Sequence, residues 1–377
     1  MCEFDLMNNL SILNAKRIVI KIGSSLLFSN NKFNSKWLDT FVEDVIFLRQ
    51  KNIDILIVAS GSVSLGKIYL NIEKKKLRIH EKQACAACGQ AILMNNFKKI
   101  FEKKKLAIAQ ILLTYSDTED RKKSLNSRET IFELLRCRVI PIVNENDSVA
   151  VDELKFGDND RLAARVSQII DANVLILLSD VDGLFTANPK KNKNARLIRE
   201  VEKIDEKIFK MASVETNYHG TGGMFTKIEA AEIASESGCD TIICRGTKKK
   251  PISEYLKKET GTIFKGKVNN DKGFKKWLAG TIKVKGDIFL DNGAIDAISK
   301  GASVLPSGIQ KISGKFFKGD IINIKNQNGK KIGKGVSYYD SSELSKILGK
   351  KTSEIKKTLG YDGRNEIVHR DYLALNE

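Results

Sequence analysis

Short, uniformly apolar runs alternate with longer amphipathic stretches over the first two thirds of the chain. Strands that are apolar throughout are typical of sheets covered on both faces, and the stretches between them are long enough to form crossover helices. The pattern therefore predicts an α/β fold: a three-layer αβα sandwich around a mainly parallel sheet. The runs are Arg17–Ile22, Ile53–Ala59, Leu106–Leu113, Val139–Val143, Val174–Leu178 and Thr241–Cys244.

The pattern changes near residue 246, where Lys-rich polar sequence begins. After Trp277, short alternating segments separated by glycine are typical of a small, mostly-β domain of about 80 residues, and Ser342–Gly360 has a helical pattern. We expect a first domain over 1–258, a basic linker over 259–276, and a second domain with a helical extension over 277–377. The expected strand segments are Thr281–Val284, Asp287–Leu290, Val304, Gly314–Phe317, Ile321–Ile324 and Gly333–Val336.

Small and polar residues follow four of the apolar runs directly. In open parallel sheets, ligands bind beyond the carboxyl ends of the strands, so we expect these four loops to meet at one site. The loops are Gly23-Ser24-Ser25, Ser60-Gly61-Ser62, Asn144-Glu145-Asn146-Asp147 and Ser179-Asp180.

The segment Gly220–Lys227 combines glycines, a terminal lysine and a following helical pattern. Glycines let backbone N–H groups crowd around an anion, and a helix N-terminus adds positive charge, so the segment can cradle a phosphate. A glycine-rich surface turn is the alternative. Lys21, beside the turn at Gly23, can reach a phosphate bound over the sheet or can simply lie in solvent.

Asx residues are dense in two neighbouring loops, Asn144–Asp147 and Gly157–Asp160. Such residues often form turns and helix N-caps, and Asp160 can be an N-cap only. Their functional interpretation is that some bind a substrate amine while one carboxylate orders nearby lysines.

Composition adds limits to this picture. The net charge is +18, of which +14 lies in residues 245–377. Two explanations of this basic excess stay open, RNA binding by this part of the chain and a genome-wide bias in amino-acid composition. Glu3 and Asp5 stand where a signal peptide would carry positive charge, so we expect a cytoplasmic protein. The pair Cys85 and Cys88 has metal-like spacing but lacks a second pair, which favours core packing and predicts no metal site.

Taken in order, these motifs resemble the amino-acid kinase family, and within it the branch that phosphorylates glutamate. Towards the C-terminus, Gly301–Ile309, Gly314–Asp320 and Ile367–Asp371 resemble a PUA domain. The resemblance implies that 1–258 is the catalytic domain. It also implies transfer of the ATP γ-phosphoryl group to the side-chain carboxylate of L-glutamate, giving L-glutamyl 5-phosphate, the first step of proline biosynthesis.

The same resemblance implies roles for individual residues. Lys21, Lys227 and Asp160 would be catalytic, with the lysines on the phosphates and the aspartate holding them. Glutamate would be bound by Ser60, Gly61, Asp147 and Asn159. ATP would be bound by Lys21, Gly23, Ser179, Asp180, Thr221, Gly222, Gly223, Met224, Phe225, Thr226 and Lys227.

A glutamate carboxylate is already ionised at neutral pH, so the chemistry calls for cationic charge and Mg²⁺ on the phosphates rather than for a general base. The resemblance also implies a homo-oligomer and a glutamyl-phosphate reductase as partner. Two alternatives stay open. One is another kinase of the family, acting on aspartate, N-acetylglutamate, carbamate or UMP, and the other is RNA binding through the PUA domain.

Overall fold

The computed structural model describes residues 11–29, 32–74, 77–149, 159–189, 191–213, 223–267 and 284–375. The chain divides into two compact units, Met1–Asn269 and Asn270–Glu377. We describe each unit by itself.

Ten strands are seen in the described part of the first unit, and eight of them form one sheet in the order β5-β6-β4-β1-β7-β9-β10-β8. Neighbours run parallel except β9 and β10, which are antiparallel. Strands β2 and β3 form a separate hairpin. The strands are β1 (Arg17–Ile22), β2 (Phe28–Ser29), β3 (Lys32–Phe33), β4 (Asp54–Ala59), β5 (Ile108–Leu113), β6 (Ile140–Glu145), β7 (Val174–Ser179), β8 (Glu200–Val201), β9 (Asp240–Arg245) and β10 (Gly261–Phe264).

Helices connect these strands and cover both faces of the sheet. They are α1 (Ser24–Leu27), α2 (Ser35–Gln50), α3 (Ser62–Tyr69), α4 (Ile79–Lys103), α5 (Tyr115–Glu119), α6 (Arg121–Arg136), α7 (Asn159–Ile169), α8 (Glu206–Ser213), α9 (Met224–Ser235) and α10 (Pro251–Lys258).

Alternate residues of β1 point to opposite faces of the sheet, as strand geometry requires. Ile18, Ile20 and Ile22 belong to a core cluster with α2, α4 and α10. Val19 belongs to a second cluster with α6, α7, α8 and α9. The sheet is therefore the middle layer of an αβα sandwich, as the apolar runs predict.

A buried arginine on α6 ties that helix to the end of α7. The Arg128 guanidinium is 3% exposed, donates to the Ile169 carbonyl, and pairs with the Asp171 carboxylate at 2.7 Å. Its charge also lies 4.7 Å from the ring centroid of Phe132. Two acceptors and a ring thus compensate the burial of this charge.

All six predicted runs correspond to strands, to within two residues at each end. The sheet also extends into the segment expected to be a linker, because β10 pairs with β9 over Gly261–Phe264. Thr262 of this short strand is fully buried and its hydroxyl donates to the Ile198 carbonyl. The domain boundaries themselves remain predictions.

In the second unit, five described strands form one mixed sheet in the order β12-β11-β13-β14-β15. Strands β11 and β13 are parallel neighbours, and the other pairs are antiparallel. The strands are β11 (Gly286–Leu290), β12 (Ile309–Ser313), β13 (Ile321–Asn326), β14 (Lys331–Val336) and β15 (Leu373–Leu375), and the helices are α11 (Asn292–Ser299), α12 (Ser341–Ile347) and α13 (Ile355–Leu359).

Two expectations for this unit change. The segment Gly314–Phe317 is a loop, not a strand, because Gly314 has a left-handed φ of 86° that ends β12. The helical stretch is split into α12 and α13 by a turn and a 3-10 segment, Thr352–Glu354. Thr281 to Lys283, predicted to begin a strand, lie outside the described residues.

Candidate active site

The centre of the site is a carboxylate that joins two lysines. Lys21 shares the face of β1 that carries Val19, and α7 and α9 cover that face. Asp160 is the second residue of α7. One of its carboxylate oxygens lies 2.7 Å from Lys21 Nζ, and the other lies 2.9 Å from Nζ of Lys227 on α9. The alternation of the strand therefore directs Lys21 towards the two helices that supply its partners.

This charged group is buried. Asp160 is 0% exposed, Lys21 3% and Lys227 5%. The hydroxyl of Thr226 also donates to Asp160 Oδ2 at 3.2 Å. Two ammonium groups are thus held on one carboxylate, and ammonium groups are suitable donors for a phosphate oxygen.

The loop after β4 needs a glycine in its centre. Gly61 has φ of 113°, in the left-handed region, and a Cβ there would lie 2.4 Å from the Phe28 ring. Gly61 is also the residue before α3, whose N-terminus has no side-chain cap. Because the first N–H groups of a helix lack intrahelical partners, this end of α3 can donate to a ligand.

Asp147 faces the same loop. The Ser62 hydroxyl, 3% exposed, donates to Asp147 Oδ2 at 3.1 Å and so links α3 to the loop that follows β6. Asn159, the first residue of α7, donates from Nδ2 to the Ala59 carbonyl at 2.6 Å. The Asp147 carboxylate and the Asn159 amide therefore both lie beside the end of β4.

An arginine braces the loop that follows β7. Arg245, at the end of β9, forms a two-point ion pair with Asp182 at 2.5 and 3.0 Å and donates to the Asp180 carbonyl at 3.0 Å. The hydrogen bond from Arg245 lowers the pKa of Asp182 below its ordinary value. The same pair raises the pKa of Arg245.

These loops line one open cavity of about 450 Å³. A cavity of this size suits a small ligand with polar groups. The four strand-end loops therefore meet at one site, as predicted. Nine of the predicted site residues line the cavity: Lys21, Gly23, Ser60, Gly61, Asp147, Asn159, Ser179, Asp180 and Lys227.

The other predicted residues are not among those lining the cavity. Thr221 and Gly222 lie outside the described residues. Gly223 precedes α9, whose N-terminus has no side-chain cap, and Thr226 contacts Asp160. Met224 is buried in the core on that face of the sheet, and Phe225 packs against Phe209 with ring centroids 5.4 Å apart.

No individual role was predicted for several further residues that line the cavity. Most of them belong to the strand-end loops that were expected to meet there, and Leu178 is the last residue of an apolar run. Asn144 and Glu145 end β6 and are nearly buried, which distinguishes them from ordinary turn residues. The residues are Ser24, Ser25, Ser62, Val63, Ser64, Asn144, Glu145 and Leu178.

Comparison with known proteins agrees with this geometry. The model of the amino acid kinase family matches residues 16–245, which hold all the residues of the cavity. The chain belongs to the amino acid kinase family. The model of the PUA domain matches residues 286–359, in the second unit.

Two relatives within this family cover nearly the whole chain. The glutamate 5-kinase of Pelagibacter ubique is 46% identical over 95% of this chain and 97% of its own length. Glutamate 5-kinase 1 of Mesorhizobium japonicum is 40% identical over 97% of each chain. Among solved structures, carbamate kinase from Giardia lamblia bound to AMP-PNP has a TM-score of 0.48 and 15% identity, covering 67% of this chain and 99% of that one. In the described part of the present chain, no helix is both long and apolar enough to cross a membrane.

Proposed function

We propose that this protein is an ATP-dependent glutamate 5-kinase. It transfers the γ-phosphoryl group of ATP to the side-chain carboxylate of L-glutamate and forms L-glutamyl 5-phosphate, the first step of proline biosynthesis. The observation that carries the proposal is the buried Asp160 that joins Lys21 and Lys227 beside a polar cavity. Two lysines held side by side suit a transferred phosphoryl group, whose charge spreads over three oxygens.

The acceptor needs no general base. The glutamate side chain has a reference pKa of about 4.3 and is an anion at neutral pH. Of the histidines in the described residues, His80 and His369, neither lines the cavity. The barrier lies in bringing two anions together, and it is lowered by positioning them and by placing fixed positive charge on the transferred oxygens.

In this mechanism Lys21 and Lys227 bind the phosphates, and Asp160 holds both ammonium groups in place. The uncapped N-termini of α3 and α9 supply further donors for anionic oxygens. Glutamate occupies the part of the cavity formed by Ser60, Gly61, Asp147 and Asn159. ATP lies against Gly23, Ser179, Asp180 and the segment Thr221–Lys227.

Mg²⁺ enters this scheme as part of the substrate. The ion prefers oxygen ligands and usually binds through one or two carboxylates plus substrate phosphates. Glu145 and Asp180 both line the cavity and offer such carboxylates. When bound, the ion would neutralise developing charge on the phosphates.

The proposal extends to the cellular setting. The enzyme acts in the cytoplasm as a homo-oligomer, and a glutamyl-phosphate reductase consumes the acyl phosphate. The support is the near full-length similarity to the two glutamate 5-kinases named above.

The deciding experiment offers several acceptors in parallel with MgATP and hydroxylamine. The acceptors are L-glutamate, L-aspartate, N-acetyl-L-glutamate, bicarbonate with ammonia, and UMP, with ATP consumption measured in each. Hydroxamate formed with L-glutamate alone is the expected result. Turnover with another acceptor would agree with the assignment to the family but refute the proposal that L-glutamate is the substrate. Absence of turnover, together with salt-sensitive binding of structured RNA by the full chain, would replace the kinase proposal.

A further inference from the structure

A row of four side-chain amides runs from the surface to the cavity. It begins at Gln110 on β5, passes through Gln90 on α4 and Asn144 at the end of β6, and ends at Asn159. Gln90 Nε2 donates to Gln110 Oε1 at 3.0 Å, and Asn144 Nδ2 donates to Gln90 Oε1 at 2.8 Å. Asn159 Nδ2 donates to Asn144 Oδ1 at 2.7 Å. Each amide thus donates to the next one outward.

Two backbone groups determine this direction. The Ala59 carbonyl can only accept, so the Asn159 atom 2.6 Å from it must be Nδ2. The Glu145 amide can only donate, so the Asn144 atom 2.9 Å from it must be Oδ1. Reversing Asn144 would bring its NH₂ against two donors, the Glu145 N–H and Asn159 Nδ2.

The direction has a consequence at the cavity. Nδ2 of Asn159 carries two hydrogens, and both are used, one by Ala59 and one by Asn144. The polar atom that this amide can turn to a ligand is therefore Oδ1, an acceptor. Together with Asp147, which lines the same cavity, it suits a cation such as an ammonium group.

Because the inner amides of the row are buried, their positions depend on the hydrogen bond that Gln90 accepts from Asn144. Asn144 is 2% exposed and Asn159 7%. A buried NH₂ that loses its acceptor costs more than the hydrogen bond itself contributes. Because the two donors on Asn144 Oδ1 oppose a reversal of the amide, Asn144 would shift as a whole towards another acceptor and pull its Oδ1 away from Asn159. Gln90 supplies that acceptor from α4, and it is not among the residues that line the cavity.

We propose that Gln90 is a positioning residue for recognition of the substrate's ammonium group. By accepting from Asn144 Nδ2, it keeps Asn144 Oδ1 on Asn159 Nδ2, which in turn presents Asn159 Oδ1 to the ammonium. This inference rests on the proposed function, since it assigns the ammonium of L-glutamate to this end of the cavity.

The test compares three variants of the full chain. Gln90→Met keeps the length of the side chain and removes the acceptor. Gln90→Glu keeps an acceptor for Asn144. Gln110→Met removes only the exposed outer end, where water can replace the lost partner. The measured quantities are the KM for L-glutamate, the KM for ATP, kcat, and the inhibition constant of glutarate, which has both carboxylates and no ammonium.

We expect Gln90→Met to raise the KM for L-glutamate about fivefold, which corresponds to the free energy of one hydrogen bond. The kcat and the KM for ATP should stay within about twofold of wild type. The inhibition constant of glutarate should stay the same. Gln90→Glu and Gln110→Met should remain within about twofold of wild type in every quantity.

Three results would overturn the inference: an unchanged KM for L-glutamate in Gln90→Met, a Gln90→Glu variant as impaired as Gln90→Met, or an equal weakening of glutarate. A parallel rise in the KM for ATP would indicate general damage to the fold and would also count against it. If wild-type protein does not turn over L-glutamate, the proposed function fails and this inference fails with it. Turnover of L-glutamate by wild type together with any of the four results above refutes the inference alone.

Discussion

Replacement of Asp160 by asparagine tests the charge arrangement of the site. The carboxylate lies 2.7 Å from Lys21 Nζ and 2.9 Å from Lys227 Nζ, and all three side chains are buried. An asparagine can still accept from one lysine, but its NH₂ then faces the other. Two like unit charges at a distance of about 4 Å repel by about 4 kcal/mol at an effective dielectric constant of about 20, so two ammonium groups left without the carboxylate between them cost a few kcal/mol.

This estimate agrees with the cost of breaking a buried ion pair, about 3 to 5 kcal/mol. A loss of about 3 kcal/mol corresponds to a fall in Tm of roughly 6 to 12 °C for a domain of this size. ATP brings negative charge back to the two lysines. We therefore expect ATP to raise the Tm of Asp160→Asn by more than it raises that of wild type, while turnover falls by about 10²-fold or more.

The assay is thermal unfolding with and without ATP, followed by hydroxamate formation. The matched control is Glu229→Gln, because Glu229 pairs with Arg161 across the same two helices at 2.5 Å but both side chains are partly exposed, 24% and 36%. Partly exposed pairs contribute about 1 kcal/mol or less. The reasoning is refuted if Asp160→Asn and the control have the same Tm and the same turnover.

Three further predictions follow from contacts described above. Lys21→Ala and Lys227→Ala should each lower turnover by about 10²-fold or more, since each removes a preorganised charge, and near-normal turnover in either would exclude this mechanism. Asp147→Ala should mainly raise the KM for L-glutamate, whereas an effect on ATP alone would contradict its role. Arg128→Met should lower the free energy of unfolding by about 3 kcal/mol in urea titrations, because Asp171 loses its buried partner. The control is Arg136→Met, because Arg136 lies on the same helix and is exposed. Equal losses of unfolding free energy in the two variants would count against the burial argument.

The apolar runs predicted the central strands because those strands are buried on both faces. Where a strand is short or at the end of the sheet, this signal disappears. Gly261–Phe264 is only four residues long and lies in Lys-rich sequence, so its pairing with β9 could not be inferred locally. In the second unit, the alternating pattern of Gly314–Phe317 predicted a strand, yet the segment is a loop from which the Phe316 side chain packs into the core.

The candidate site was predicted in part. Convergence of the strand-end loops follows from the topology of any parallel sheet, so apolar patterning was enough to predict it. The contact of Asp160 with both lysines depends on distances between three elements far apart in sequence. The loop pattern predicted only that one carboxylate would lie near lysines, and the family resemblance assigned this role to Asp160. Gln90 is a lone polar residue among small and apolar residues of a helix. Nothing in the local sequence distinguishes it from a glutamine on the surface.

The position of β1 in the centre of the sheet also determines when the site can exist during synthesis. Ile18 pairs with Val174 of β7. Asp160, the partner of Lys21, receives its second lysine only from a helix that begins at Met224. At about 5 to 20 residues per second, a ribosome needs roughly 10 s or more to pass from one lysine to the other. Non-local parallel pairing then adds slow folding steps. A nascent chain that stops before α9 has most of the sheet but not the pair of lysines, so premature chains cannot consume ATP by the proposed mechanism.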